Sequence, residues 1–329
     1  MPTLNFRTGT IVNGIALYEN SAFCANTPIP VRYHGATYYA DTVPLSDYYG
    51  SYGYHSLHLS VRIPGQSEIF AIAPESRLHP IAFQAVNARL GFPLGQPDIG
   101  STAYVGFAGY ISDGLTFSGQ SFRAVVIGVD HNIANETNGR HCVTYAVMKD
   151  RWYDTNIAIV DSDYDPDDLK KSGVWFNHYN THTNTIGWKG SNLRNNIMTN
   201  FYNAMEQDAR NVVITTKKWT YASDSSYSGW TDNTFFLMSE FEMYGKCYQS
   251  NSAEADYQQR YAYYDGIPFE STEYILYKHN DLSKKVTYWF RSPHKSNSYG
   301  FVVFDDTDQM PRNIGARRDL SIVPCFNVG

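Results

Sequence analysis

The chain has 329 residues, of which 43% are hydrophobic and only 18% charged, with a formal net charge of -6. That is long enough to bury a core without covalent staples, and too apolar for a disordered segment. An acidic balance with no run of Lys or Arg argues against a nucleic-acid partner, and no apolar run reaches the roughly 18 residues a transmembrane helix needs. Length alone suggests about two domains.

The N-terminus, Met1-Pro2-Thr3-Leu4-Asn5-Phe6-Arg7, lacks the basic start and apolar stretch of a signal peptide. The chain is expected to be made in a host cytoplasm and to reach the outside only as part of a particle or after lysis. Residues 1–95 read as mostly β. Leu57, Leu59, Val61 and Ile63 alternate on one face, Pro64-Gly65 turns the chain, and Ile69 and Ile72 mark a returning strand. Before this hairpin, residues 48–54 form a Tyr/Gly/Ser loop, either folded on its own domain or offering contact area. Residues 80–90 predict a short helix with Ile81, Ala82, Ala85, Val86 and Leu90 on one stripe. Two prolines and two glycines in residues 91–97 mark a linker, dividing the chain into 1–95 and 96–329.

Beyond it, residues 122–129 are apolar enough for a central strand, with residues 142–148 as its partner. Asn135-Glu136-Thr137 between them reads as a polar turn that matches the glycosylation pattern. Asp161, Asp163 and Asp165 have the spacing of calcium ligands. However, Pro166 stands where such a loop needs glycine and Ser172 where it needs glutamate, so an acidic turn before a short helix at 167–171 is the plainer reading. His178 and His182 are four apart in a segment unsuited to helix. A helix is predicted from Ser191 or Asn192 to about Gln207, with Leu193, Ile197, Phe201, Ala204 and Met205 on one face. Val212-Val213-Ile214 starts a further strand.

Three signatures follow: Phe235-Phe236-Leu237-Met238-Ser239-Glu240-Phe241-Glu242, then Tyr288-Trp289-Phe290-Arg291-Ser292-Pro293, then residues 320–328. Each has the pattern of a strand meeting a polar turn, which places Glu240 and Glu242 on one face of a strand. Arg291 sits among aromatics, where a charge must be paired; the expected role is a guanidinium fork tying neighbouring loops. Cys24, Cys142, Cys247 and Cys325 lack metal-like spacing and are expected to be free thiols, with distant disulfides as the alternative. No nucleophile elbow, phosphate loop, dinucleotide fingerprint or zinc-protease motif occurs, so no enzyme activity and no cofactor is expected. The 27 tyrosines suit either β-rich packing or a contact surface.

Residues 122–328 resemble an uncharacterised domain of phage virion proteins and of surface proteins from Gram-positive and gut bacteria. That domain is related to the C-type-lectin-like fold, on the branch of formylglycine-generating enzymes and a phage tropism determinant. The resemblance rests on Trp188, Ser191 and Arg194, on the Phe236 to Glu242 and Tyr288 to Pro293 elements, including Glu240, Trp289, Arg291 and Pro293, and on a terminal strand at residues 323–326. It departs at Val323-Pro324, where the family carries Arg-Pro, and Cys247 and Cys325 do not match the copper-holding pair of the oxidase relatives.

The resemblance implies an α+β protein: a mostly-β N-terminal attachment or oligomerisation domain, then a lectin-like domain with a small twisted sheet, one or two helices and long ordered loops. The implied function is that of a bacteriophage virion structural protein. It would bind a host-surface glycan or protein, or decorate capsid or tail, with other virion proteins and further copies of itself as partners. Tyr227, Trp230, Tyr257, Tyr261, Tyr263 and Tyr264 are the expected display residues. The alternatives are a particle-assembly protein without receptor role, and a glycan-directed enzyme or bacterial adhesin.

Overall fold

The computed structural model describes residues 79–329 except 90, 93–94, 153–154, 161–173, 178–182 and 279–280, together with the backbone of six strands before residue 73. Asp161, Asp163, Asp165, the short helix expected at 167–171, His178 and His182 lie outside the described residues, as do Cys24 and residues 50–53.

The six early strands form two three-stranded sheets. β1 (Leu4–Asn5) runs parallel to β2 (Ile29–Tyr33), which pairs antiparallel with β3 (Ala36–Ala40). β4 (Pro44–Tyr49), β5 (Tyr54–Arg62) and β6 (Ile69–Ile72) are an antiparallel meander. The alternation at Leu57 to Val61 thus sits in β5, and Arg62 faces Ile69 across the hairpin.

Helix α1 (Pro80–Arg89) follows. It ends in a Schellman motif: the Phe92 amide donates to the Asn87 carbonyl and the Gly91 amide to that of Ala88, with Gly91 at φ 75°. Only glycine adopts that conformation without strain. Gly91, which marks the linker in sequence, is thus a helix stop. Ile81, Ala82, Ala85, Ala88 and Phe92 are buried in one core with the strands that come after them. The core therefore recruits a helix from the N-terminal side of the expected 95/96 division.

That core lies on a nine-stranded sheet, larger than the small sheet the resemblance implies. β7 (Thr102–Ser112) and β8 (Leu115–Val129) form a long hairpin, and β8 pairs with β9 (Val143–Trp152). β9 also pairs with β10 (Thr155–Ile157), which continues to β15 (Leu276–Tyr277) and β16 (Lys285–Val286). On its other edge β9 pairs with the last strand, β20 (Cys325–Val328), which also holds β11 (Val213–Ile214) and β14 (Phe235–Phe236). Residues 122–128 are buried without alternation because β8 is covered on both faces. Phe107, Phe122, Phe201 and Phe235 meet at ring separations of 5.6–6.3 Å, with Phe107 edge to face on Phe201 and Phe235.

The helix expected from Ser191 forms but stops at Ala204, short of the expected end near Gln207, because Met205 is extended. The Ser191 hydroxyl accepts the Arg194 amide at 3.1 Å, and a π turn at Leu193–Met198 leads into α4 (Thr199–Ala204). Leu193, Ile197, Phe201, Ala204 and Met205 are all buried. Short helices α2 (Ile133–Glu136) and α3 (Gly187–Gly190) precede it, and α5 (Gln207–Arg210) follows. Two smaller antiparallel units complete the fold: the hairpin of β12 (Thr216–Thr220) with β13 (Gly229–Asn233), and the sheet of β17 (Tyr288–Pro293), β18 (Gly300–Phe304) and β19 (Pro311–Gly315). The protein is a mixed α+β structure.

Candidate functional site

The first two signatures interlock. β14 stops at Phe236, and Ser239 begins α6 (Glu240–Tyr244) rather than continuing a strand. The Ser239 hydroxyl accepts the Glu242 amide at 3.0 Å, and the Glu242 carboxylate accepts the Ser239 amide at 3.0 Å. This reciprocal cap satisfies two helix-end donors at once. It overturns the expectation of a strand with both glutamates on one face. Glu240 turns instead to the amides of Gln249 and Ser250, at 3.0 and 2.8 Å, while Glu242 turns into the core. The Ser-x-x-Glu spacing was the available signal.

Arg291, on β17, meets Glu242 from the other side. Its Nη1 donates to the Glu242 carboxylate and to the Leu237 carbonyl at 2.8 Å; Nη2 donates to Gln258 at 2.9 Å. Ser292 accepts the Glu240 amide at 3.0 Å and donates to Glu254. Trp289 donates its indole N–H to the Val174 carbonyl, and Pro293, also buried, pairs with Phe301 at the end of β17. Trp188 and Arg194 share Asn233, each at 3.0 Å from its side-chain oxygen.

Behind Glu242 lies a second cation that the sequence reading missed. Lys218, on β12, is fully buried, with Nζ 2.5 Å from Glu136, 3.0 Å from Glu242 and 2.8 Å from the Tyr261 hydroxyl. The Phe236 ring lies 4.2 Å from the ammonium. Glu136 ends α2 and is buried, so Asn135-Glu136-Thr137 is not simply a polar turn. His131 stacks on Tyr261 at 3.7 Å, and its Nε2 is 3.9 Å from Glu136 with no hydrogen-bond partner. Gly128 permits this approach: a Cβ there would stand 3.0 Å from the Tyr261 ring.

Electrostatics separate the carboxyls. Burial pushes Glu136 up to about 7 against the pull of Lys218, and burial also pushes Glu254 to about 7. Burial acts on Glu242 too, but Arg291 and Lys218 outweigh it and hold that carboxyl well below the usual range. Burial lowers His131 to about 3, so its ring is neutral. His131, Glu136 and Glu242 bring potential ligand atoms within 4.8 Å of one another, a metal-like donor set. Lys218 already stands against both carboxylates and answers their charge. Burial raises the free thiols as well, Cys142 to about 12, Cys247 to about 11 and Cys325 higher still, which leaves them protonated and unreactive.

On the other face of β12, Trp219 pairs across the hairpin with Trp230 at 5.7 Å, and Tyr257 packs on both at 4.5 and 6.0 Å. Trp219 and Trp230 are half-buried, and Tyr257 is 48% exposed. Of the six expected display residues, this cluster gathers Trp230 and Tyr257 and adds Trp219. Tyr227 and Tyr263 are half-buried elsewhere. Tyr261 and Tyr264 are buried, at 0% and 3% exposure, and must be struck from the display set. Their rings fill core beside Lys218 and against Tyr274. Alternating tyrosines in a loop sequence do not reveal which of them face inward.

The family described as "Domain of unknown function (DUF6273)" matches residues 162–329, half of the chain, and the protein belongs to that family. The elements at Trp188 to Arg194, Phe236 to Glu242, Tyr288 to Pro293 and 323–326 all fall inside the matched segment. No curated protein and no solved structure matches the chain.

Proposed function

We propose that this protein is a non-catalytic attachment module, carried on a phage particle, whose C-terminal lectin-like domain contacts a glycan or protein of the host surface through Trp219, Trp230 and Tyr257. The observation that carries this reading is the placement of the aromatic cluster. Its strand alternates between the buried ion network and the outer face, so Trp219, the residue after buried Lys218, faces outward beside Trp230. Gln258, next to Tyr257, donates to the Trp219 carbonyl at 3.2 Å and accepts from Arg291. Trp219 also donates its indole N–H to the Ala253 carbonyl at 3.1 Å. A contact surface built on a rigid support loses little entropy on binding, and partly exposed Trp and Tyr are the side chains that recognition surfaces favour. The protonated thiols of Cys142, Cys247 and Cys325 offer no ready nucleophile beside this surface.

The test is the double variant Trp230→Ala/Tyr257→Ala, compared with wild type by binding of the labelled protein to a glycan array and to intact bacterial cells. Wild-type binding and at least a tenfold loss in the variant, at unchanged thermal stability, are expected. Equal binding by the two proteins, or binding by neither, would overturn the assignment.

A further inference from the structure

We propose that Lys218 and Glu136 become joined by an intramolecular amide bond, with Glu242 as the proton carrier and His131 as the group that polarises the Glu136 carboxyl.

The constellation has the parts such a condensation needs. The amine and the carboxyl are already in contact, Nζ 2.5 Å from Oε2, and neither side chain is more than 1% exposed. Holding two reactants in place converts a bimolecular step into a unimolecular one. A second carboxylate touches the same nitrogen at 3.0 Å, and Arg291 keeps it anionic. Glu136 has no such guanidinium; Lys218 is its partner, and burial favours its acid form. The neutral His131 ring holds an unpartnered Nε2 3.9 Å from the other oxygen of Glu136, beyond hydrogen-bond distance at rest, so a small shift of the ring is needed before it donates to that oxygen as it gains charge. Phe236 and Tyr261 line the site and exclude water.

The step balances without any co-reactant. The ammonium gives a proton to the carboxylate pair, leaving a neutral amine and the acid form of Glu136. The amine nitrogen attacks Cδ of Glu136, and the C–N bond forms. Glu242 takes a proton from that nitrogen and returns it to the departing hydroxyl. The C–O bond breaks and one water leaves. Glu242 ends as it began, and the core loses one positive and one negative charge. Ions held out of water carry a desolvation penalty, so converting this pair to a neutral amide favours the product. The bond would tie the end of α2 to β12 across 82 residues.

Intact mass spectrometry of the purified, denatured full chain tests this, followed by peptide mapping. The expected result is a mass lower by one water than the sequence requires, and a branched peptide containing both Glu136 and Lys218. Full sequence mass in the wild-type chain, after prolonged incubation in the folded state, would overturn the proposal. So would a lost water mapped to any other site. The variant Glu242→Gln should fold with the sequence mass unchanged from its own composition; a cross-link formed to the wild-type extent in it would remove Glu242 from the mechanism. The wild-type measurement decides the bond itself even where a variant fails to fold.

Discussion

Replacing Arg291 with lysine keeps a positive charge in the core but removes the planar fork. Arginine here reaches Glu242, the Leu237 carbonyl and Gln258 at once, in a strand whose six residues are all buried. A lysine of shorter reach holds one of these and leaves the others without a donor. Each buried group left unpaired costs about 1–3 kcal/mol, and removing one partner of a buried ion pair altogether costs about 3–5 kcal/mol. Arg291→Lys is therefore expected to destabilise by about 2–4 kcal/mol, a large part of a typical domain's margin of about 5–15 kcal/mol. Equilibrium urea unfolding followed by tryptophan fluorescence reads this as a lower midpoint at unchanged slope. A loss below about 1 kcal/mol would show that the fork contributes little beyond its charge, and would refute the reasoning.

Two further outcomes follow from the same network. Glu254 has a folded-state pKa raised from 4.5 to about 7, so the folded state binds its proton more tightly than the unfolded chain. Its contribution is fully present below pH 4.5 and is lost as pH rises through about 7, a swing of up to about 3 kcal/mol. Unfolding midpoints across that window should fall for the wild type more steeply than for Glu254→Gln; parallel profiles would exclude Glu254 as the source. Ser239→Ala removes the cap of α6 and a hydroxyl that also donates to Gln258. It should cost about 1–2 kcal/mol by the same denaturation assay, and Ser239→Thr should recover most of it.

How much of this was legible depends on the kind of signal. The strands at 122–129 and 142–148 and the helix after Ser191 announce themselves by local apolar pattern, and they form where expected. Arg291 was legible as a paired charge because its aromatic neighbours forbid an exposed one. Its partner Glu242 was not, since a two-residue alternation imitates a strand while a three-residue capping relation says helix, and the cap wins once β14 ends. Lys218 and Glu136 are silent in sequence. Each lies in an ordinary polar stretch, and only the packing of α2 against β12 brings them together. Alternation would have placed Lys218 opposite Trp219, but not which of the two faces inward.

β20 has a consequence for the order of assembly. Four residues, Cys325–Val328, supply the strand that bridges β9 on one side to β11 and β14 on the other. Until ribosomal synthesis has passed residue 328, one edge of β9 has no neighbour, and the helix packed at Ile81 to Ala88 lacks part of its floor. The nascent chain must therefore wait with an open apolar strand edge, the state most exposed to wrong pairing. Closing the sheet is a long-range event, because β20 joins a strand, β9, that lies far upstream in the sequence, and loss of these four residues alone would leave the domain unclosed.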